Sequence, residues 1–171
     1  MTRRPREPAP DLLHLLVVMG EGGHTKQCLR LVDLLGTSSY RYSYILVAED
    51  EVTQRQLRVP GAVYRVARPG STKSGWLTRL ARLPVCCAQA TIAILRTRPD
   101  AVISTGPGVA VPVCIVAKLL GAQVIFLESF SRVRKLSLTG RLMRPLADLY
   151  LVQWQELLSA VPRAVYAGRL Y

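Results

Sequence analysis

Short apolar runs alternate with longer stretches of helical period along this chain. Residues 12–19 are almost continuously apolar, the mark of a strand buried on both faces. Between residues 24 and 35, Cys28, Leu31, Val32 and Leu35 recur at helical spacing, and Gly36 marks a stop. Residues 42–48 predict a second strand, followed by Glu49-Asp50-Glu51 and a short helical segment. Residues 62–67 predict a third strand, and 68–75 a loop rich in Gly, Ser, Pro and Lys. The longest helical stretch is 76–98, where Pro84 predicts a kink or a split. A strand at 101–104, an apolar helix ending before Gly121 and a strand at 123–128 follow. A basic loop with a short helix then leads to strands at 148–152 and 165–166.

Strands alternating with helices predict an α/β fold, a doubly wound and mostly parallel Rossmann-like sheet. One domain over 12–171 is expected, behind a flexible basic tail at 1–11. Such sheets bind ligands at the carboxyl ends of their strands, near the switch in strand order. Three unusual loops fall on that rim: 20–25, 105–108 and 128–134.

Gly20-Glu21-Gly22-Gly23-His24-Thr25 joins a strand to a helix N-terminus, an arrangement suited to an anion, usually phosphate. Gly20-x-Gly22 also half-matches a dinucleotide fingerprint, with Glu49-Asp50 where a ribose-binding acid would sit, but the third glycine is missing. His24 sits beside the expected phosphate as a candidate general base; capping the helix or bonding the ligand is the simpler role. His14 lies within a strand, where a packed structural role is expected. Thr105-Gly106-Pro107-Gly108 repeats the strand–glycine–helix pattern, with Pro107 expected in the first helical turn. Glu128 ends an apolar strand and is expected to face the rim among Arg132, Arg134 and Lys135. There it could bond sugar hydroxyls, orient His24, take a proton itself or pair with an arginine.

The formal net charge is +12, and its distribution narrows the partners. Neither 52–99 nor 129–147 contains an acidic residue, while both are rich in arginine. That suits a polyanion: nucleic acid, an anionic membrane face or a diphosphate. Residues 76–83, with Arg79 and Arg82 beside an apolar stripe led by Trp76 and Leu77, could rest on a membrane or pack as a crossover helix. The four cysteines form no C-x-x-C pair, so neither a metal site nor a disulfide framework is expected, and the chain reads as reduced and cytosolic. No run approaches the roughly 18–20 apolar residues that span a bilayer, so membrane association is expected to be peripheral.

Six ordered motifs carry a resemblance to a known family. They are the 20–25 loop, Pro99-Asp100 before a strand, Thr105 to Gly108, Glu128-Ser129 with its basic loop, Asp148-x-x-Leu-Val-Gln-Trp154, and Val165-Tyr-x-Gly-Arg169. Together they resemble the asparagine-linked glycosylation fourteen family in its short bacterial polysaccharide-biosynthesis form. The resemblance implies the N-terminal, Rossmann-like half of a split GT-B glycosyltransferase, with a separate small chain supplying the UDP-sugar half. It implies inverting transfer of N-acetylglucosamine or another hexose to a polyprenyl-diphosphate-linked sugar at the cytoplasmic face of the membrane. Eukaryotic members carry an N-terminal transmembrane anchor where this chain has only the basic tail, which points to a bacterial context.

On that resemblance, His24 and Glu128 are the candidate catalytic residues. Gly20, Gly22, Gly23, Thr25, Gly106, Gly108, Ser129 and Arg132 are the candidate diphosphate binders. Tyr166, Gly168, Arg169, Leu170 and Tyr171 are expected to meet the partner chain. No cofactor, metal or nucleic acid is expected; loop amides, helix dipoles and arginines can neutralise a diphosphate. Two other readings stay open: a non-catalytic recruitment subunit, and an NAD(P)-binding oxidoreductase domain.

Overall fold

The structure is a computed structural model and describes residues 12–69 and 76–170. The tail at 1–11, the centre of the loop at 70–75, the side chains of 76–80 and Tyr171 lie outside the described residues, and with them the expected apolar wedge at Trp76 and Leu77.

Seven parallel strands form one sheet in the order β3-β2-β1-β4-β5-β6-β7. In chain order the elements are β1 (Leu13–Val18), α1 (Gly23–Leu35), β2 (Tyr40–Val47), α2 (Glu51–Arg55), β3 (Gly61–Val66) and α3 (Trp76–Thr97). They continue with β4 (Ala101–Ser104), α4 (Ala110–Leu119), β5 (Gln123–Leu127), α5 (Leu138–Met143), β6 (Leu149–Val152) and β7 (Val165–Tyr166), with a 3-10 turn at Gln155–Leu157. The strand order reverses between β1 and β4, so the loops after these two strands flank the switch point.

Alternation along each strand divides the core in two. One face carries Leu16, Val18, Ile45, Val102, Val124 and Phe126 under α3, α4 and α5. The other carries Leu15, Val17, Tyr42, Tyr44 and Ile103 under α1. Toward β7 this second face loses its cover: Leu149 is 38% exposed and Val165 48%, in register with the half-buried Ile125 and Leu151. The later crossover helices α4 and α5 pack on the first face, which leaves these positions of the second exposed.

Two expectations change. Pro84 does not split the long helix; α3 runs unbroken past it. The proline is on the exposed side, where water can serve the carbonyl that lacks its usual N–H partner. Pro107 stands ahead of α4 rather than in its first turn, and its carbonyl accepts the Ala110 N–H at 2.9 Å. Other features follow the pattern: Gly36 (φ 66°) and Gly121 (φ 86°) end their helices in a backbone region that disfavours other residues. His14 is buried, with Nε2 2.9 Å from Ser43 Oγ; burial first, then the Arg41 charge, lowers its pKa and keeps it neutral. Burial likewise pushes the Cys28 and Cys86 thiols up to about 11 and Cys114 to about 12, so they stay protonated.

Candidate active site at the switch point

The loops after β1 and β4 are locked together by packing and hydrogen bonds. A Cβ on Gly20 would lie 2.3 Å from Pro107 Cβ, so only glycine lets the loops touch here. Ser104 Oγ donates to the Val18 carbonyl at 3.1 Å. Thr105, fully buried, donates from Oγ1 to the His24 carbonyl at 2.9 Å, and its own carbonyl lies 2.8 Å from His24 Nδ1. A carbonyl can only accept, so Nδ1 donates there, and the tautomer this sets has Nε2 as its acceptor.

His24 is half-buried and faces a cavity of about 370 Å³ lined by Gly23, His24, Lys26, Gln27, Ser129, Phe130 and Ser131. Gly106 backs the ring: a Cβ there would sit 3.7 Å from His24 Cε1 and 3.3 Å from Phe126, on a φ of +100°. Gly22 adopts φ 65° as the residue before α1. The first bond into the helix is Lys26 N–H to the Gly22 carbonyl at 3.3 Å, so the amides of Gly23, His24 and Thr25 precede the ladder. An electropositive helix end therefore opens beside His24.

The expected diphosphate residues separate into two groups. Gly22, Gly23 and Gly108 are exposed with open space around them, Ser129 lines the cavity, and Arg132 is exposed on the rim. Gly20, Thr25 and Gly106 are buried and build the loops instead. Thr25 Oγ1 donates to the Gly20 carbonyl and turns away from any ligand. Asp50, the expected ribose-binding acid of the dinucleotide reading, caps α2 through the Thr53 amide at 2.9 Å.

Glu128 does not face the rim arginines. It is fully buried, accepting from the Ser129 amide at 2.9 Å, the Ser137 amide at 3.2 Å and the Tyr150 hydroxyl at 3.1 Å. Its parity explains this: Val124 and Phe126 point under α5, and Glu128 continues the alternation. Gly140 makes room, since a Cβ there would lie 1.9 Å from Glu128 Oε2. Tyr150 is held protonated by burial and then by the Glu128 charge, both of which raise its pKa. The carboxylate thus organises the start of the 128–137 loop, while among the described residues Arg132, Arg134 and Lys135 have no carboxylate partner.

Residues that sequence reasoning left without a role complete the cavity wall. Gln27 on α1 accepts the Phe130 amide at 2.8 Å, and Gln153 donates to it at 2.8 Å. Trp154 donates from its indole to the Phe130 carbonyl at 2.7 Å, and the two rings lie 5.4 Å apart. Gln153 and Trp154 stand in the motif after β6, a signal of importance without a stated function. The expected partner residues are at the end of the chain: Tyr166 on β7, Gly168 at φ 89°, Arg169 4.0 Å over the Trp154 ring, and Leu170 with its amide on Gln153 at 3.0 Å.

The sheet and its switch-point loops define one Rossmann-like half of the GT-B glycosyltransferase architecture. MurG of Acinetobacter baumannii superimposes with a TM-score of 0.70 at 17% identity, covering 92% of this chain and 44% of that one. UDP-GlcNAc 2-epimerase from Neisseria meningitidis, bound to UDP-GlcNAc, superimposes with 0.70 at 13% identity, covering 92% and 47%. The chain spans less than half the length of these solved structures, and the likeness is one of fold. Residues 15–170 match the family described as "Oligosaccharide biosynthesis protein Alg14 like", and the chain belongs to that family. The mouse UDP-N-acetylglucosamine transferase subunit ALG14 is 31% identical over 97% of this chain and 85% of its own length. The Schizosaccharomyces pombe subunit of the same name is 32% identical over 93% and 84%. Among the described residues, no helix is long and apolar enough to cross a membrane.

Proposed function

We propose that this chain is the acceptor-binding subunit of a two-component, inverting glycosyltransferase. A separate chain brings a UDP-sugar, N-acetylglucosamine or another hexose, and this chain presents a polyprenyl-diphosphate-linked sugar. The observation that carries the reading is His24, which lines the cavity beside a helix N-terminus and whose Nδ1 is held by the Thr105 carbonyl at 2.8 Å, leaving Nε2 as the acceptor. The diphosphate lies on the Gly22–Gly23 turn and the open Gly108, near Ser129 and Arg132. His24 takes the proton of the acceptor hydroxyl as its oxygen bonds to the anomeric carbon. The bond from that carbon to UDP breaks with inversion, and UDP leaves carrying the electron pair. Glu128 reaches none of these atoms and acts by holding the 128–137 loop.

The relatives named as transferase subunits support a partner chain, and the uncovered sheet face over β5 to β7 offers it a seat next to Tyr166 to Leu170. Mixing this chain with the product of a neighbouring open reading frame that encodes the donor half should yield sugar transfer to a polyprenyl-diphosphate-linked acceptor. Neither chain should turn over alone, and deleting residues 166–171 should abolish association. Full transfer by the isolated chain would sink the two-component reading.

The helix layer on the opposite face supports a peripheral seat on the cytoplasmic face of an anionic membrane. Along the outer side of α3, Val85 is 50% exposed, Ile92 50% and Leu95 57%; on α4, Leu119 is 81% exposed. No acidic residue occurs in α3, α4 or α5, whereas Arg82, Arg96 and Arg141 are exposed on the same layer. An apolar patch flanked by exposed arginines matches anionic headgroups, and at its α4 edge the Asp148 carboxylate is already paired with Lys118 at 2.7 Å. Ile92→Glu with Leu95→Glu should cut co-sedimentation with phosphatidylglycerol vesicles at least about fivefold, since two lost apolar contacts and two added negative charges each oppose binding. Unchanged binding would move the membrane contact elsewhere.

A further inference from the structure

The C-terminal segment and the cavity wall are joined by two side-chain routes, the first of them buried, that converge on one peptide. In the first, the Leu170 amide donates to Gln153 Oε1 at 3.0 Å, and Gln153 Nε2 donates to Gln27 Oε1 at 2.8 Å and to the Glu128 carbonyl at 3.0 Å. Gln27 Oε1 in turn accepts the Phe130 amide at 2.8 Å. In the second, the Arg169 guanidinium lies 4.0 Å over the Trp154 ring, whose indole donates to the Phe130 carbonyl at 2.7 Å. The N–H and the C=O of Phe130 are therefore held by two side chains that the segment at 169–170 touches, one directly and one through Gln153.

The first route has no slack. Gln153 is 1% exposed and Gln27 5%, and every polar side-chain atom of both is bonded. Removing the Leu170 contact leaves a buried amide oxygen short of a donor, and a partly satisfied buried network is less stable than a complete one. Arg169 is exposed and Leu170 half-buried, so the near end of both routes is open to a docking chain while the far end lines the cavity.

We propose that Gln153 and Trp154 are positioning residues through which the segment at 169–170 sets the Phe130 backbone in the cavity wall. The functional consequence rests on the acceptor reading above: a partner docked on this segment is felt at the acceptor site. Because such coupling is reciprocal, a bound acceptor tightens the partner by the same factor.

Amide hydrogen exchange of the full chain tests this at Phe130, with the Leu16 amide in the core strand as the global reference. Gln153→Leu and Leu170→Pro, which deletes the Leu170 N–H, should each speed Phe130 exchange about tenfold relative to Leu16. Arg169→Ala removes only an exposed side chain and should act in the same direction through Trp154, so the test stands even where Leu170→Pro loses the fold. Phe130 exchange that stays within about twofold of wild type in both C-terminal variants overturns the proposal, whatever Gln153→Leu does. Farnesyl diphosphate titrated into the same proteins reads the consequence: its Kd should rise about threefold or more in each variant. A wild-type chain that binds no farnesyl diphosphate counts against the acceptor reading, while the exchange result still decides the coupling.

Discussion

Replacing His24 by alanine is expected to lower kcat of the assembled transferase by about 100-fold or more, the range of a lost general base. Partner association and thermal stability should stay near wild type, because the half-buried ring makes one side-chain hydrogen bond, from Nδ1 to the Thr105 carbonyl. That bond fixes the tautomer, so the measurement has a sharper form. Thr105 also bonds the His24 carbonyl through Oγ1. Thr105→Val removes that hydroxyl but keeps the carbonyl that orients the ring, and should therefore cost far less than His24→Ala. If His24→Ala loses less than about tenfold in kcat, roughly 1.4 kcal/mol, the residue is not the base and the chain is better read as a recruitment subunit.

Much of this site was legible because its backbone grammar is local. A strand, a glycine turn and an amphipathic helix announced the 20–25 loop, and a strand, a glycine turn and an apolar helix announced 105–108. Topology then brought both to the switch point. What the residues did not reveal was direction. Gly20 and Thr25 look like phosphate ligands in sequence, yet one makes room for Pro107 and the other closes its own turn. Glu128 follows Val124 and Phe126 in strict alternation, so its inward turn was available from parity; the nearby arginines argued for the rim and misled. Gln27 carried no local signal, and Gln153 only its place in the 148–154 motif. They lie 126 positions apart and matter only because α1 and the end of β6 meet. Pro84 leaves α3 unsplit for a related reason: its cost depends on which side of the helix faces solvent, and that is set by packing on the sheet.

The inward turn of Glu128 leads to the second large effect. Glu128→Ala leaves the Ser129 and Ser137 amides without their acceptor and opens a cavity in a fully buried site. The expected destabilisation is about 3 kcal/mol or more, a fall in Tm of roughly 10 °C for a chain this size. Glu128→Gln retains one carboxyl-like oxygen and nearly the same volume, and the Tyr150 hydroxyl can turn to the Gly140 carbonyl 3.2 Å away, so it should cost only about half as much. Gly140→Ala places a methyl group where Glu128 Oε2 now sits and should destabilise by about 1–3 kcal/mol through overpacking. Thermal melts of the three variants order these costs. Kinetics on the folded Glu128→Gln complex then separates positioning from proton transfer for this carboxylate. A positioning residue predicts kcat within about tenfold of wild type, whereas a general base predicts a loss of about 100-fold with the fold intact. The larger loss would return Glu128 to the chemistry and require the 128–137 loop to open during turnover, because a carboxylate enclosed by Ser129, Ser137 and Tyr150 has no path to a substrate hydroxyl as it stands.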